Sequence, residues 1–259
     1  FIYGFPWVSF ALIISHNDNL IIFLKFFGTF LTSYFILQIF CLPYLFFSQK
    51  KLNLKFYYYL IFLLPAIIPF VINLTSNENF QNYNKKINLE IFQLNFKNDL
   101  INNNSSYKLE IIKNNIIKSE SDLLIFAENN YPFVIDGSNL DAIQSIMKEN
   151  QNIIIGGTRK EGNNYFNTLM HITSNKVLYF DKKILVPFGE FLPFRSLLKF
   201  LNIISGPNDY STGLKERKID INPDLNYIPV ICYEIIFYWK LINNYNYKSK
   251  FVVNITNDI

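Results

Sequence analysis

Two stretches without a single charged residue constrain this chain more than anything else in it. Phe26 to Gln49 reads FFGTFLTSYFILQIFCLPYLFFSQ, and Phe56 to Asn77 reads FYYYLIFLLPAIIPFVINLTSN. Each exceeds the roughly 20 residues that an α-helix needs to cross a hydrocarbon core ~30 Å thick. Buried helices of water-soluble proteins are seldom so long without one charge, so both read as membrane spans. Pro43, Pro65 and Pro69 would break a soluble helix but are tolerated in spans. Tyr57, Tyr58 and Tyr59 stand where an interfacial aromatic belt belongs. The loop between the spans, residues 50–55, carries Lys50, Lys51 and Lys55, which places it in the cytoplasm. Everything after about Asn77 is then extracytoplasmic, which in a bacterium is the periplasm.

The first twenty residues, FIYGFPWVSFALIISHNDNL, are apolar but interrupted by Gly4-Phe5-Pro6, and they lack the basic start of a secretory signal. The chain begins at Phe1 rather than Met, which reads as a piece cut from something longer. Residues 1–77 thus form a transmembrane region, with spans at about 26–49 and 56–77.

Composition sharpens this division. Only 17% of the residues are charged, against roughly 25% in soluble domains. The deficit comes mostly from the two spans. A net charge of +4 is too mild to imply a nucleic-acid partner. Half the residues are hydrophobic and Gly numbers only 9, which excludes disorder and collagen.

From Lys85 to Ile259 the texture becomes that of an α/β domain. NLEIFQL (88–94), DLLIFA (122–127), NIIIGG (152–157), YFNTLMHI (165–172), KVLYF (176–180), YIPVIC (227–232) and FVVNIT (251–256) read as strands rich in β-branched and aromatic residues. Ser106 to Lys118 places Leu109, Ile112 and Ile116 on one helical face. Asn139 to Lys148 follows Ser138, a candidate N-cap, and Glu234 to Leu241 joins the last two strands as a helix. Alternating strands and helices predict a layered α/β domain.

The two cysteines differ in setting. Cys41 lies in the first span and Cys232 in the extracytoplasmic domain, so no disulfide is expected between them. Cys232 ends a strand and precedes a helical pattern. That turn exposes the side chain and aims a helix N-terminus at it, which favours thiolate. The commoner fate of a free Cys is a small buried hydrophobe, and position alone leaves both readings open. A thiol nucleophile needs a base, yet the chain has only His16 and His171. His16 lies beside the membrane segment, and nothing local supports His171. Carboxylates and lysines at strand ends remain. Glu128 terminates DLLIFA and suits proton transfer, or is an exposed strand-end Glu. Lys182 ends KVLYFD and could stabilise an oxyanion, or is an ordinary surface lysine. Two His and two Cys at these spacings form no metal-ligand cluster, and no cofactor is expected.

In combination these residues say more. The order strand–Glu128, strand–Lys182 with Leu185-Val186-Pro187-Phe188-Gly189-Glu190, then strand–Cys232-Tyr233-Glu234 resembles the nitrilase (carbon–nitrogen hydrolase) superfamily. It resembles more closely the superfamily's membrane-bound branch, the apolipoprotein N-acyltransferases. Gly4-Phe5-Pro6-Trp7 matches that family's GFPW segment, and Phe92-Gln93-Leu94-Asn95 its first nitrilase strand and VQ-x-N turn. Phe126-Ala127-Glu128 through Pro132 is similar to WPE-x-x-x-P, and Tyr165-Phe166-Asn167-Thr168 to YNT. Phe180-Asp181-Lys182 with the Leu185–Glu190 run matches YxK…LVPFGE. Ile231-Cys232-Tyr233-Glu234 matches ICYE, and Asn257-Asp258 matches the end of SND. LVPFGE and ICYE are highly specific. GFPW or YNT alone would not be.

The resemblance implies a membrane helical part followed by a nitrilase-like sandwich of α-β-β-α layers that is truncated at its C-terminus. It implies Glu128 as general base, Lys182 as oxyanion residue and Cys232 as nucleophile, with Glu190, Tyr233 and Glu234 supporting them. It further implies ping-pong acyl transfer from a phospholipid, through a Cys232 thioester, to the amine of a diacylglyceryl-modified lipoprotein. The setting would be the bacterial inner membrane, with the protein multi-pass and monomeric in the lipid bilayer, its catalytic domain facing the periplasm. Ala127 stands where the family has Pro, which is expected to loosen the loop of Glu128. The family has earlier spans, and further strands and a span after SND, so the chain reads as the middle of a longer membrane enzyme. Two other readings stand beside this one. A membrane-anchored amidase or nitrilase would use the same triad with water as second nucleophile, and a non-catalytic anchored binding module would leave the triad vestigial.

Overall fold

A computed structural model describes residues 10–14, 17–48, 86–94, 104–136, 140–193, 208–222, 225–241 and 251–257, with isolated positions 57, 67, 71, 96, 195 and 249. Gly4-Phe5-Pro6-Trp7, the 50–55 loop, nearly all of the 56–77 stretch, Ser138, Asn139, Asn95 and Asp258 lie outside the described residues. The chain divides into two compact units, Phe1–Asn84 and Lys85–Ile259.

In the first unit a short 3-10 helix, Phe10–Ile14, precedes helix α1, Asp18–Ser48. α1 is broken at Gly28, whose φ of 65° and ψ of 179° are not helical. The chain folds back there. Thr32 Oγ1 donates to Phe23 O at 3.1 Å, and the rings of Phe27 and Phe35 lie 5.1 Å apart. A straight helix would separate residues nine positions apart by ~13.5 Å. Continuous helix therefore begins after Gly28 and passes through Pro43, covering a length of ~30 Å to Ser48. Phe26–Tyr44 is the one stretch among the described residues apolar and long enough to cross a membrane. Phe30, Leu37, Phe40 and Phe47 are exposed around it, while Thr32 and Ser33 spend their hydroxyls on backbone carbonyls of the same segment. An element apolar on all sides with its polar groups satisfied internally is what a lipid environment demands.

The second unit holds two sheets. Strands β1 (Leu89–Phe92), β2 (Leu123–Phe126), β3 (Asn152–Glu161), β4 (Asn164–Ile172) and β5 (Val177–Asp181) lie in that order in the first. β1, β2 and β3 run parallel, whereas β3, β4 and β5 form an antiparallel meander. β6 (Ile219–Asn222), β7 (Leu225–Ile231) and β8 (Phe251–Ile255) form the second sheet, with β7 and β8 parallel.

Successive side chains in β2 and β3 enter opposite cores. Leu124, Phe126, Ile153 and Ile155 pack under helix α2 (Ser105–Lys118) through Ile112 and Ile116. Leu123 and Ile154 face the other way and meet Tyr227, Ile231, Val253 and Ile255 of the second sheet. Burial on both faces explains why these strands read as unbroken apolar runs. Helix α4 (Tyr238–Leu241) adds Leu241 to Ile228 and Val230 on the outer face of the second sheet. The layers are thus α-β-β-α, the expected order.

Two helices depart from expectation. The segment expected as 139–148 is a single turn, α3 (Asp141–Gln144), after which Ile146 and Met147 revert to i→i+3 hydrogen bonds. A turn with Asn150 at φ 64° follows, and Gln151 caps it by accepting from Lys148 N. The segment after Cys232 is a 3-10 helix, Cys232–Phe237, before the single turn of α4. The register there follows Glu234, whose carboxylate binds backbone rather than continuing a helical face.

Candidate active site

β2 delivers Glu128 to a tight corner. Asn130 Oδ1 accepts from Ala127 N at 3.2 Å, Gly156 N donates to Ala127 O at 3.2 Å, and Tyr131 N donates to Gly156 O at 2.9 Å. Asn129 adopts φ 54°, a conformation Asn tolerates well. The corner lies so close to β3 that a Cβ on Gly156 would stand 2.6 Å from Glu128 Cα. Ala127 therefore does not loosen the loop. Its N–H, which proline would lack, is one of the ties.

Lys182 follows β5 directly and is 1% exposed. Its N–H donates to Asn167 O at 2.8 Å, which turns the side chain inward. Nζ lies 2.8 Å from Glu190 Oε1 and 3.3 Å from Glu128 Oε1. Burial pulls the Lys182 pKa down, but the charges of Glu128 and Glu190 outweigh it and the net displacement is upward. The ammonium is therefore held protonated. Glu190 is fixed by its own turn, with Oε2 accepting from Val186 N at 2.8 Å. Phe188 in that turn sits at φ 66°, unusual for an aromatic residue.

Cys232 closes β7 at φ 49°, in the left-handed region. A non-glycine residue there marks a sharp turn that presents its side chain. The thiol is half-buried, receives a hydrogen bond from Thr256 Oγ1 at 3.4 Å and feels the charges of Glu128 and Lys182. Burial, first, and Glu128 push its pKa up, while Thr256 and Lys182 pull it down; the net direction is up. This corrects the expectation that a helix N-terminus favours thiolate. The segment that follows is a six-residue 3-10 helix rather than an α-helix, and burial beside a carboxylate sets the direction.

Glu128, Lys182, Glu190 and Cys232 are thus brought together. Glu234 serves an adjacent network. It is fully buried and accepts from Lys183 N (2.8 Å), Ile184 N (2.9 Å) and Ile231 N (3.1 Å). Tyr233 is buried with its ring edge-on to Phe237, 5.0 Å away, and burial raises its pKa. His171 lies elsewhere. It sits between the sheets, bonded to Tyr227 OH (3.1 Å) and Asn152 Oδ1 (3.0 Å), and burial lowers its pKa to about 4. Among the described residues no His, Cys, Asp and Glu side chains gather in a metal-binding group.

Three participants were not assigned a role from sequence. Asn167 donates Nδ2 to both Glu128 Oε1 (2.7 Å) and Glu190 Oε1 (2.6 Å), although the YNT-like motif contains it. Thr256 touches the sulfur. Arg217, 4% exposed, pairs with Glu234 through both terminal nitrogens. A polar residue inside a buried strand is the signal that marks Asn167 in advance. Thr256 and Arg217 carry none.

Comparison with known proteins agrees with the residue pattern. No family profile matches the chain. The apolipoprotein N-acyltransferase of Allorhizobium ampelinum is 31% identical over 151 residues, covering 53% of this chain and 28% of that protein. Those of Brucella suis (28% identical, 54% of this chain, 29% of that protein) and Helicobacter pylori (31%, 50% and 33%) are also similar. The chain thus matches about a third or less of the length of these relatives. Among solved structures, a CN-hydrolase superfamily protein from Xanthomonas campestris is 18% identical at a TM-score of 0.41, covering 59% of this chain and 56% of that one. A nitrilase-superfamily protein from Saccharomyces cerevisiae is 18% identical at 0.39, with 60% and 58% covered.

Proposed function

From a chain that is 28–31% identical to apolipoprotein N-acyltransferases over about half its length, we propose that the protein carries the catalytic centre of a lipoprotein N-acyltransferase acting through a thioester on Cys232. The observation that carries this reading is the arrangement of one buried ammonium between two carboxylates, beside a half-buried thiol on a left-handed turn.

Glu128 takes the proton of Cys232, and the thiolate attacks the ester carbonyl of a phospholipid acyl chain. Because the thiol's own pKa is displaced upward, deprotonation is coupled to attack rather than complete beforehand. Lys182 and nearby backbone N–H groups hold the tetrahedral oxyanion. Collapse breaks the ester bond, Glu128 returns the proton to the departing alkoxide, and a lysophospholipid leaves. The amine of a diacylglyceryl-cysteine then attacks the thioester, Glu128 accepts its proton, and collapse expels the Cys232 thiolate. Glu190 and Asn167 hold Lys182 and Glu128 in place throughout.

The spans fit this chemistry. Both substrates are confined to a bilayer, and tethering reduces their encounter to a two-dimensional search. Lys50, Lys51 and Lys55 support a cytoplasmic loop, which puts the catalytic unit on the periplasmic side of the inner membrane.

Incubation of the full-length enzyme with acyl-labelled phospholipid should trap label on Cys232 in a hydroxylamine-sensitive bond and release lysophospholipid. A thioester, cleaved by neutral hydroxylamine, persisting in Cys232→Ser defeats the assignment. Ammonia release from small amides without lysophospholipid would indicate an amidase instead.

A further inference from the structure

The segment Tyr210–Arg217 runs as a strap across the turns that carry Glu190 and Lys182 and ends on Glu234. Tyr210 N donates to Glu190 O (2.8 Å), Ser211 N to Tyr165 O (2.7 Å) and Gly213 N to Lys182 O (2.9 Å). Gly213 is pressed so close that a Cβ there would stand 2.1 Å from Asp181 O. The strap ends in Arg217, whose Nη1 reaches Glu234 Oε2 (2.9 Å) and Pro229 O (3.2 Å), and whose guanidinium lies 5.1 Å from the Phe180 ring centre.

Glu234 therefore receives five hydrogen bonds, two from Arg217 and three from backbone. The backbone donors belong to two segments. Lys183 and Ile184 form the turn behind Lys182, and Ile231 precedes Cys232. One carboxylate thus ties the ammonium-bearing turn to the thiol-bearing turn. Arg217 grips both oxygens of that carboxylate at once and so sets its orientation towards the two turns.

We propose that Arg217 is a positioning residue for acyl transfer: by gripping both oxygens of Glu234, it fixes the turn of Lys182 against the turn of Cys232. The proposal rests on the acyl-transfer reading above but is testable apart from it. Lysine cannot replace the fork, since it offers a point charge rather than a planar pair of donors.

The test uses Arg217→Lys in the full-length enzyme, with two readouts. Alkylation of Cys232 by iodoacetamide, followed peptide by peptide across pH, reports the thiol without any substrate. Single-turnover thioester formation from labelled phospholipid reports the chemistry. The expected result is a thermal midpoint near wild type, thioester formation slowed at least tenfold, and an alkylation midpoint displaced upward as Lys182 withdraws from the sulfur. If Arg217→Lys fails to fold, the double variant Arg217→Met with Glu234→Gln, which removes both charges at once, carries the same measurements. A folded variant of either kind with wild-type thioester rate and alkylation midpoint overturns the proposal. Wild-type enzyme that forms no thioester would instead sink the acyl-transfer reading, and alkylation alone would still decide the role of Arg217.

Discussion

Lys182 stands 2.8 Å from Glu190 and farther, at 3.3 Å, from Glu128. Both carboxylates are its counter-ions, Glu190 at the shorter distance, and in the proposed mechanism Glu128 must also exchange a proton with Cys232. Glu190→Gln should draw Lys182 onto Glu128 and occupy the oxygen meant for the thiol proton. The amide oxygen can still accept from Val186 N, so the turn itself should survive. Thioester formation should fall on the order of 10²-fold, with little change in thermal midpoint. A variant acylating at the wild-type rate would show that Glu190 is dispensable as counter-ion.

Cys232 and Glu128 should separate base catalysis from simple thiolate supply. With burial and Glu128 holding the thiol up, wild-type alkylation should have its midpoint above the ~8.5 of an ordinary cysteine. Glu128→Gln removes the repulsion, so that midpoint should move down and thiolate should become more available at neutral pH. Thioester formation should nonetheless fall by roughly 10²–10⁴. If acylation instead rises with the thiolate fraction, Glu128 is not the base.

These residues differ in how legible they were. The strands could be read because two-sided burial makes continuous apolar runs, and β2, β5 and β7 are each followed within two positions by a residue whose chemistry stands out against them. The meander of β3, β4 and β5 was less visible, since pairing direction depends on the Gly162 turn at φ 58° rather than on periodicity. Asn167 was quoted only as part of a motif because its role is to bridge two carboxylates far away in sequence. Arg217 lies in the charged run Lys215-Glu216-Arg217-Lys218, where nothing local separates a buried arginine from solvated neighbours. The pKa of Cys232 was misjudged because helical periodicity predicted a dipole, while three-dimensional burial decided the sign.

His171 couples the two sheets and should make stability acid-sensitive. Asn152 Oδ1 accepts from Nε2–H, so in the neutral ring Nδ1 accepts from Tyr227 OH, and burial between the sheets disfavours the charged ring. The folded value of about 4 lies below the ordinary 6.5. The unfolded chain thus binds the proton first as pH falls. Stability from this group is complete above pH 6.5 and is lost progressively down to about pH 4. The loss should be about 3 kcal/mol. Thermal midpoints measured from pH 7.5 to 4.5 should fall more steeply for wild type than for His171→Gln. Parallel curves would show that protonation of this ring is not resisted.

Gly156 and Gly157 offer the closest control on the position of the base. A Cβ on Gly156 would meet backbone, Glu128 Cα at 2.6 Å and Asn129 N at 2.8 Å, so the corner holding Glu128 must move. A Cβ on Gly157 would meet Met170 Cε at 3.0 Å and Tyr131 Cβ at 3.1 Å, and the tip of a methionine side chain can yield. Both Gly→Ala variants should lose stability, by roughly 1–3 kcal/mol for Gly156→Ala and less for Gly157→Ala. Their activities should diverge far more. Gly156→Ala should lower thioester formation at least tenfold, since a displacement of ~1 Å at a reacting group can cost 10² in rate. Gly157→Ala should stay within a few-fold of wild type. Equal activity losses in the two variants would mean that the approach of β3 to the Glu128 corner does not set the position of the carboxylate.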